Sequence, residues 1–144
     1  MNPKIALKKI WLDEDVTEFV VTVIDRVSTF KSKVYVGYDY LQSLIKELST
    51  FKDQIYGGIY DIEMGEFGPE YASGAFKARL HYYVPGKLSI ATHQQTEFFD
   101  FSNRKEAAES KMYLKTEPIL LDNFIAQLQK LNSGDADEAE LECA

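Results

Sequence analysis

Apolar and polar residues alternate with a period of two over most of the first third of the chain. Residues 4–12 place Ile5, Leu7 and Trp11 on one side and Ile10 and Leu12 on the other, the spacing of a β-strand. Residues 16–25 are rich in β-branched side chains and apolar on both faces at Val20 and Val21, which predicts an interior strand. Residues 29–36 set Phe30, Val34 and Val36 against Lys31, Lys33 and Tyr35, a half-buried strand reached through a short connection at 26–28.

The period then lengthens to that of a helix. Leu41, Leu44, Ile45, Leu48 and Phe51 recur every three or four residues behind Asp39, a predicted N-cap, with Gln42 placed to complete a capping box. A second stripe, Leu120, Leu121, Phe124, Ile125, Leu128 and Leu131, follows Thr116 as the expected cap and Pro118 in the first turn. Asn132, Ser133 and Gly134 should end it.

Between the two helices the pattern is again β. Residues 54–64 read as a strand in which the pair Gly57 and Gly58 suggests a bulge or a close backbone approach. Residues 74–84 and 87–101 form a hairpin about Pro85 and Gly86, the second strand interrupted near 94–96. A three-residue loop would pair Val84 with Leu88, Tyr82 with Ile90 and Leu80 with Thr92. That register keeps the apolar set on one face, whereas a slip of one residue would turn Leu88 and Ile90 to the charged side. It also sets His81 and His93 diagonally on neighbouring strands. Residues 103–109 are expected to be a polar connector, and 110–115 a last short strand. Strands bracketing two separate helices indicate an α+β fold. The expected form is one antiparallel twisted sheet of six to seven strands with both helices packed on it, a single domain over residues 1–132.

Charge changes this picture chiefly at the C-terminus. The chain has 144 residues and a net charge of −7, and Asp135, Asp137, Glu138, Glu140 and Glu142 supply five of its 23 acids. Residues 133–144 are therefore expected to be an acidic, disordered tail. Without those five acids the remaining chain carries 18 acids against 16 bases, which offers no basic footprint for nucleic acid. No apolar run approaches the length of a membrane span, and the N-terminal residues lack the apolar core of a signal peptide. Cys143 is the only cysteine, so no disulfide can form within the chain. A cytoplasmic protein is the expectation.

Candidate chemistry is sparse. No phosphate-binding loop, nucleophile elbow, zinc signature or calcium loop occurs, so neither catalytic residues, cofactor nor metal ligands are predicted. Asp61, Glu63, Glu66 and Glu70 lack the ligand spacing of a calcium site; the plain reading is a solvated face. His81 and His93 could form a two-histidine metal pair, but Lys77 and Arg79 on the same face would repel a cation. Tyr35, Tyr38 and Tyr40 cluster where strand meets helix, and Phe67 and Tyr71 flank Pro69. Tyr and Phe either anchor interfaces or fill a core, Phe67 among them. The residues expected to meet a partner are Glu63, Glu66, Phe67, Glu70 and Tyr71.

Four segments, WLDEDVTEFVVTVID, DYLQSLIKELSTF, GEFGPEY and TEPILLDNFIAQLQKL, together resemble a group of small bacterial proteins that includes WapI-type immunity proteins of contact-dependent toxin systems. The likeness lies in the order of elements over residues 5–131 and carries no active-site residue. It implies an α+β fold and a non-enzymatic protein that binds and neutralises a partner. The acidic surface makes a basic protein the expected target. Two other readings stay open at this point. One is a small-ligand protein or enzyme with a pocket between sheet and helix, using Asp61, Glu63, Arg79, His81 and His93; the other is a structural homodimer.

Overall fold

The computed structural model describes residues 2–71 and 73–144. Strands β1 (Lys4–Leu12), β2 (Val16–Ile24) and β3 (Thr29–Gly37) form a meander, and β10 (Glu138–Glu142) joins it on the far side of β1. A second antiparallel sheet has the order β4 (Ile59–Gly65), β5 (Ala75–Val84), β6 (Lys87–Gln95), β9 (Glu109–Thr116). Helices α1 (Tyr40–Phe51) and α2 (Pro118–Ser133) pack against each other, α1 beside β4 and α2 beside β10. A short hairpin, β7 (Phe99–Phe101) and β8 (Arg104–Glu106), leaves the end of β6 as an arm.

The architecture is α+β with two helices and antiparallel sheets, but the single sheet of six to seven strands is replaced by two four-stranded sheets and the arm. One apolar face of each sheet and both helix stripes merge into a common core. Leu7, Phe19 and Val34 come from the first sheet, Phe76, Leu80 and Ile90 from the second, and Leu44, Leu48, Phe124 and Leu128 from the helices. Two junctions keep the sheets separate. The meander ends at α1, and the Lys33 carbonyl on β3 accepts its hydrogen bond from the Gly74 amide rather than from another strand. A Cβ at Gly74 would lie 2.4 Å from the Gln95 carbonyl oxygen and 2.9 Å from that of Lys33, so glycine is what permits the approach.

The acidic tail is the largest departure from expectation. Residues 138–142 are a strand because Ala139 and Leu141 alternate with the glutamates and are both buried. Ala139 pairs with Leu7 and Leu141 with Ile5, while Lys4 meets Glu140 at 2.8 Å. The outward edge of β10 is also satisfied: Gln127 Oε1 accepts from the Glu140 amide, Thr116 Oγ1 donates to the Glu142 carbonyl, and the Ala144 amide donates to Lys115. Such cover blunts an edge that could otherwise template aggregation. Thr116 is thus spent on β10, and Glu117 takes the N-cap position of α2 with Pro118 at the first helical residue. Asp39 precedes α1 without a side-chain cap bond, so the capping box does not form.

The remaining corrections are local. Residues 54–58 are turns that lead into β4, with Gly57 at positive φ, rather than its first half. In the central hairpin Tyr82 pairs with Leu88 and Leu80 with Ile90. The face assignment is as expected but the register differs by two residues. Pro85 and Gly86 make a two-residue loop with Val84 opposite Lys87, and a bulge at Tyr83 restores the apolar parity.

Because Leu141 is only 1% exposed, Leu141→Ala should destabilise the fold by about 3 kcal/mol. Urea unfolding would read this as a lower midpoint at unchanged slope; an unchanged midpoint would mean that β10 contributes nothing to the core.

Candidate functional site

The outer face of the second sheet, opposite the core, is open to solvent. Its side chains stand in cross-strand rungs fixed by the register. Glu63, Lys77, His93 and Lys111 form one rung, Asp61, Arg79, Ala91 and Tyr113 the next, and Ile59, His81, Ser89 and Lys115 a third. Arg79 grips Asp61 with two hydrogen bonds, Nε to Oδ1 at 2.8 Å and an Nη to Oδ2 at 3.0 Å. That fork holds the Asp61 carboxyl below its usual pKa and raises Arg79. Lys77 Nζ lies 3.8 Å from Glu63.

The residues that follow β4 meet one end of this face through Phe67 and Gly68. The Phe67 ring stacks on the His93 imidazole, centroids 4.3 Å apart and planes 13° from parallel. The same imidazole meets Glu109 Oε1 through Nε2 at 2.6 Å. Beside this stack the Gly68 amide, at a positive φ, donates to Gln95 Oε1 at 3.0 Å. Phe67 therefore clamps the loop to the outer face and does not plug the core. With the loop fixed at Phe67, Gly68 and Gly74, the side chains of Glu66, Glu70 and Tyr71 are left exposed. Among the described residues neither Glu66 nor Glu70 has a basic side chain within ion-pair distance.

Of the residues expected to meet a partner, Glu63 sits on β4 and Glu66, Phe67, Glu70 and Tyr71 in the adjoining loop, with Glu63 and Phe67 on the outer face. His81 and His93 share that face, but His81 lies opposite Ser89 and His93 opposite Lys77, four residues apart along β6 rather than diagonal. Lysines flank His93 on both neighbouring strands, and Asp61 and Glu63 are turned to Arg79 and Lys77. Among the described residues no group of three or more His, Cys, Asp or Glu side chains is placed to hold a metal ion. Sequence reading missed Glu109 and, although it set Arg79 on this face with Asp61, did not pair the two, because each contact depends on a strand register.

Of the other sequence candidates, Tyr35 and Tyr38 are exposed, whereas Tyr40 and Cys143 serve the fold. Tyr40, at the start of α1, donates to the Glu63 carbonyl at 2.8 Å and so covers the β4 edge; burial pushes its phenol up. Tyr82 donates to the Lys52 carbonyl, and its ring lies 5.2 Å from that of Phe51. Burial raises the Cys143 thiol to about 12, which leaves it without thiolate reactivity at neutral pH. A hollow of about 520 Å3 does lie between α1 and β4, lined by Lys46, Glu47, Gln54 and Tyr60, yet Arg79, His81 and His93 are not part of it. Among the described residues no helix is long and apolar enough to cross a membrane.

Replacing Arg79 by Met should return the Asp61 titration midpoint towards its ordinary value, as read by carboxyl NMR. The stability that the pair lends is present above the unfolded carboxylate's pKa and is lost as pH falls through the lower, folded value. At this exposure the contribution should be small and should weaken further with added salt. Phe67→Ala should leave the unfolding midpoint nearly unchanged and speed hydrogen exchange at the Gly68 amide; an exchange rate equal to that of the parent would show that the stack does not hold the loop.

Comparison with protein-family models, with curated proteins and with solved structures finds no match to this chain.

Proposed function

We propose that this chain is a non-enzymatic, cytoplasmic protein-binding module, an inhibitor of the immunity type, that engages a basic protein partner through Glu63, Glu66, Phe67, Glu70 and Tyr71. The observation that carries the reading is the Phe67–His93 stack. It anchors an acidic, aromatic loop on an uncovered sheet face, so Glu66, Glu70 and Tyr71 are presented with part of their ordering cost already met. Charge supports the same reading. Strand β10 places its glutamates in the folded body, so much of the net −7 belongs to a shaped surface and would draw a basic partner towards it. The fixed ion pairs of Asp61 with Arg79 and Glu63 with Lys77 give that surface a set pattern of charge beside the loop.

The test uses the full chain as bait in a lysate of its native host, washed at low salt and eluted with a salt gradient. A single basic protein should be retained. Glu66→Lys with Glu70→Lys should weaken its retention by at least about tenfold, roughly 1.4 kcal/mol, while circular dichroism and the thermal midpoint stay those of the parent. An empty eluate, or retention indifferent to the double reversal, would refute the assignment of this surface.

A further inference from the structure

The outer face of the first sheet carries a second feature that the loop on the other sheet does not explain. A cavity of about 680 Å3 opens there, floored by Ala6, Val20 and Thr22 and walled by the segment that leaves β6. Its position follows from the Gly74 junction. The backbones of Lys33, Gly74, Gln95 and Glu97 meet there, so the chain crosses the β3 edge and sets Phe99 at the cavity.

Two independent observations indicate what such a space would hold. The first is cationic: Lys8 on β1 and Lys31 and Lys33 on β3 flank the apolar floor, since Val20 pairs with both Lys8 and Lys33 and Thr22 with Lys31. In a chain of net charge −7, none of these three lysines has a carboxylate within ion-pair distance among the described residues. Glu138 and Glu97 stand on the cavity's margin, the first opposite Lys8 and the second near Tyr35, whose phenol is raised chiefly by Glu18 and in small part by Glu97. The second is apolar: Phe99 and Phe101 lie on the same side of β7 by strand alternation, 61% and 60% exposed, and Ile10 is 41% exposed at the end of the floor. The arm that bears them turns through Ser102 and Asn103, both at positive φ, and pairs through only three residues a side. A two-stranded hairpin of that length has little stability of its own and can adjust to what it covers.

We infer that the groove between the first sheet's outer face and the β7–β8 arm binds a small amphipathic anion, an aliphatic chain ended by a carboxylate or a phosphate. The size lies within the range of small-molecule sites, which combine an apolar lining with a few placed polar groups. Val20, Ile10 and Phe99 take the aliphatic chain, and Lys31 and Lys33 on one side with Lys8 on the other take the anionic end. The groove lies on the outer face of the first sheet, which distinguishes this site from the loop on the second sheet.

Titration of the full chain with decanoate, decyl phosphate, decan-1-ol and decyltrimethylammonium, followed by amide NMR, tests the proposal. Decanoate or decyl phosphate should produce saturable shifts at Lys8, Lys31, Lys33 and Phe99, and the stronger of the two identifies the anionic end. The alcohol and the ammonium compound should bind at least about tenfold more weakly. Lys31→Glu with Lys33→Glu, and separately Phe99→Ala with Phe101→Ala, should each cost about tenfold in affinity with the thermal midpoint retained. Absence of saturable shifts with either anion, equal binding of the alcohol, or parental affinity in the lysine variant would overturn it. Because the loop residues 66–71 are untouched, loss of this site and loss of the protein partner would be scored separately.

Discussion

Side chains on a strand point alternately to opposite faces, and the two four-stranded sheets spend one face each on a shared core. Both helices are drawn into that core by their apolar stripes, so neither remains to cover an outer face. The consequence is an unusual allotment for a chain of this size: two broad sheet faces are left to solvent, and each must be made soluble by its own charges. On the second sheet this is done by cross-strand pairs, Asp61 with Arg79 and Glu63 with Lys77. On the first it is done by glutamates of β10 beside lysines of β1, with β3 contributing lysines only. Both surfaces offered as binding sites arise from this one constraint.

Edges impose the second condition. Each sheet is narrow, so its edge strands are a large share of its backbone, and their free amides and carbonyls need partners or protection. Side chains and turns rather than further strands supply much of this cover: Tyr40 for β4, Gln127 and Thr116 for β10, and the Gly74 amide for β3. Gly74 has the widest effect, because it fixes both where the loop on the second sheet ends and where the arm passes onto the first.

The elements with clean periodicity were legible in the sequence. The three strands of the meander and both helices stand within a residue or two of their expected bounds, since alternation and the three-to-four spacing report directly on which side faces the core. Strand β10 was hidden by its composition: five acids in a terminal stretch suggest disorder, although Ala139 and Leu141 already show the period of two. The hairpin register turned on the bulge at Tyr83, which parity alone cannot locate, since registers two residues apart bury the same face. At the candidate site, the sequence marked the acidic loop by its crowding of carboxylates and aromatics. It did not reveal that Phe67 lies on His93, or that Glu109 and Arg79 complete the network, because those contacts join residues 16 to 26 positions apart through strand pairing.

The tail's true place also alters the electrostatic argument. As a disordered appendage it would have screened or solubilised the molecule without giving its field a direction, and the body alone would have been close to neutral. As β10 it fixes Glu138, Glu140 and Glu142 on one side of the first sheet, and Lys4 neutralises Glu140 there. Lys31 and Lys33 lie three strands away on β3, beyond the ion-pair reach of those glutamates. Lys31 and Lys33 are thus separated from the β10 glutamates by β1 and β2 instead of being neutralised by them. An acidic protein can in this way attract a basic partner over its long-range field and still keep a cationic groove at close quarters, because the field at a distance sums all the charges while a bound group responds to its nearest ones.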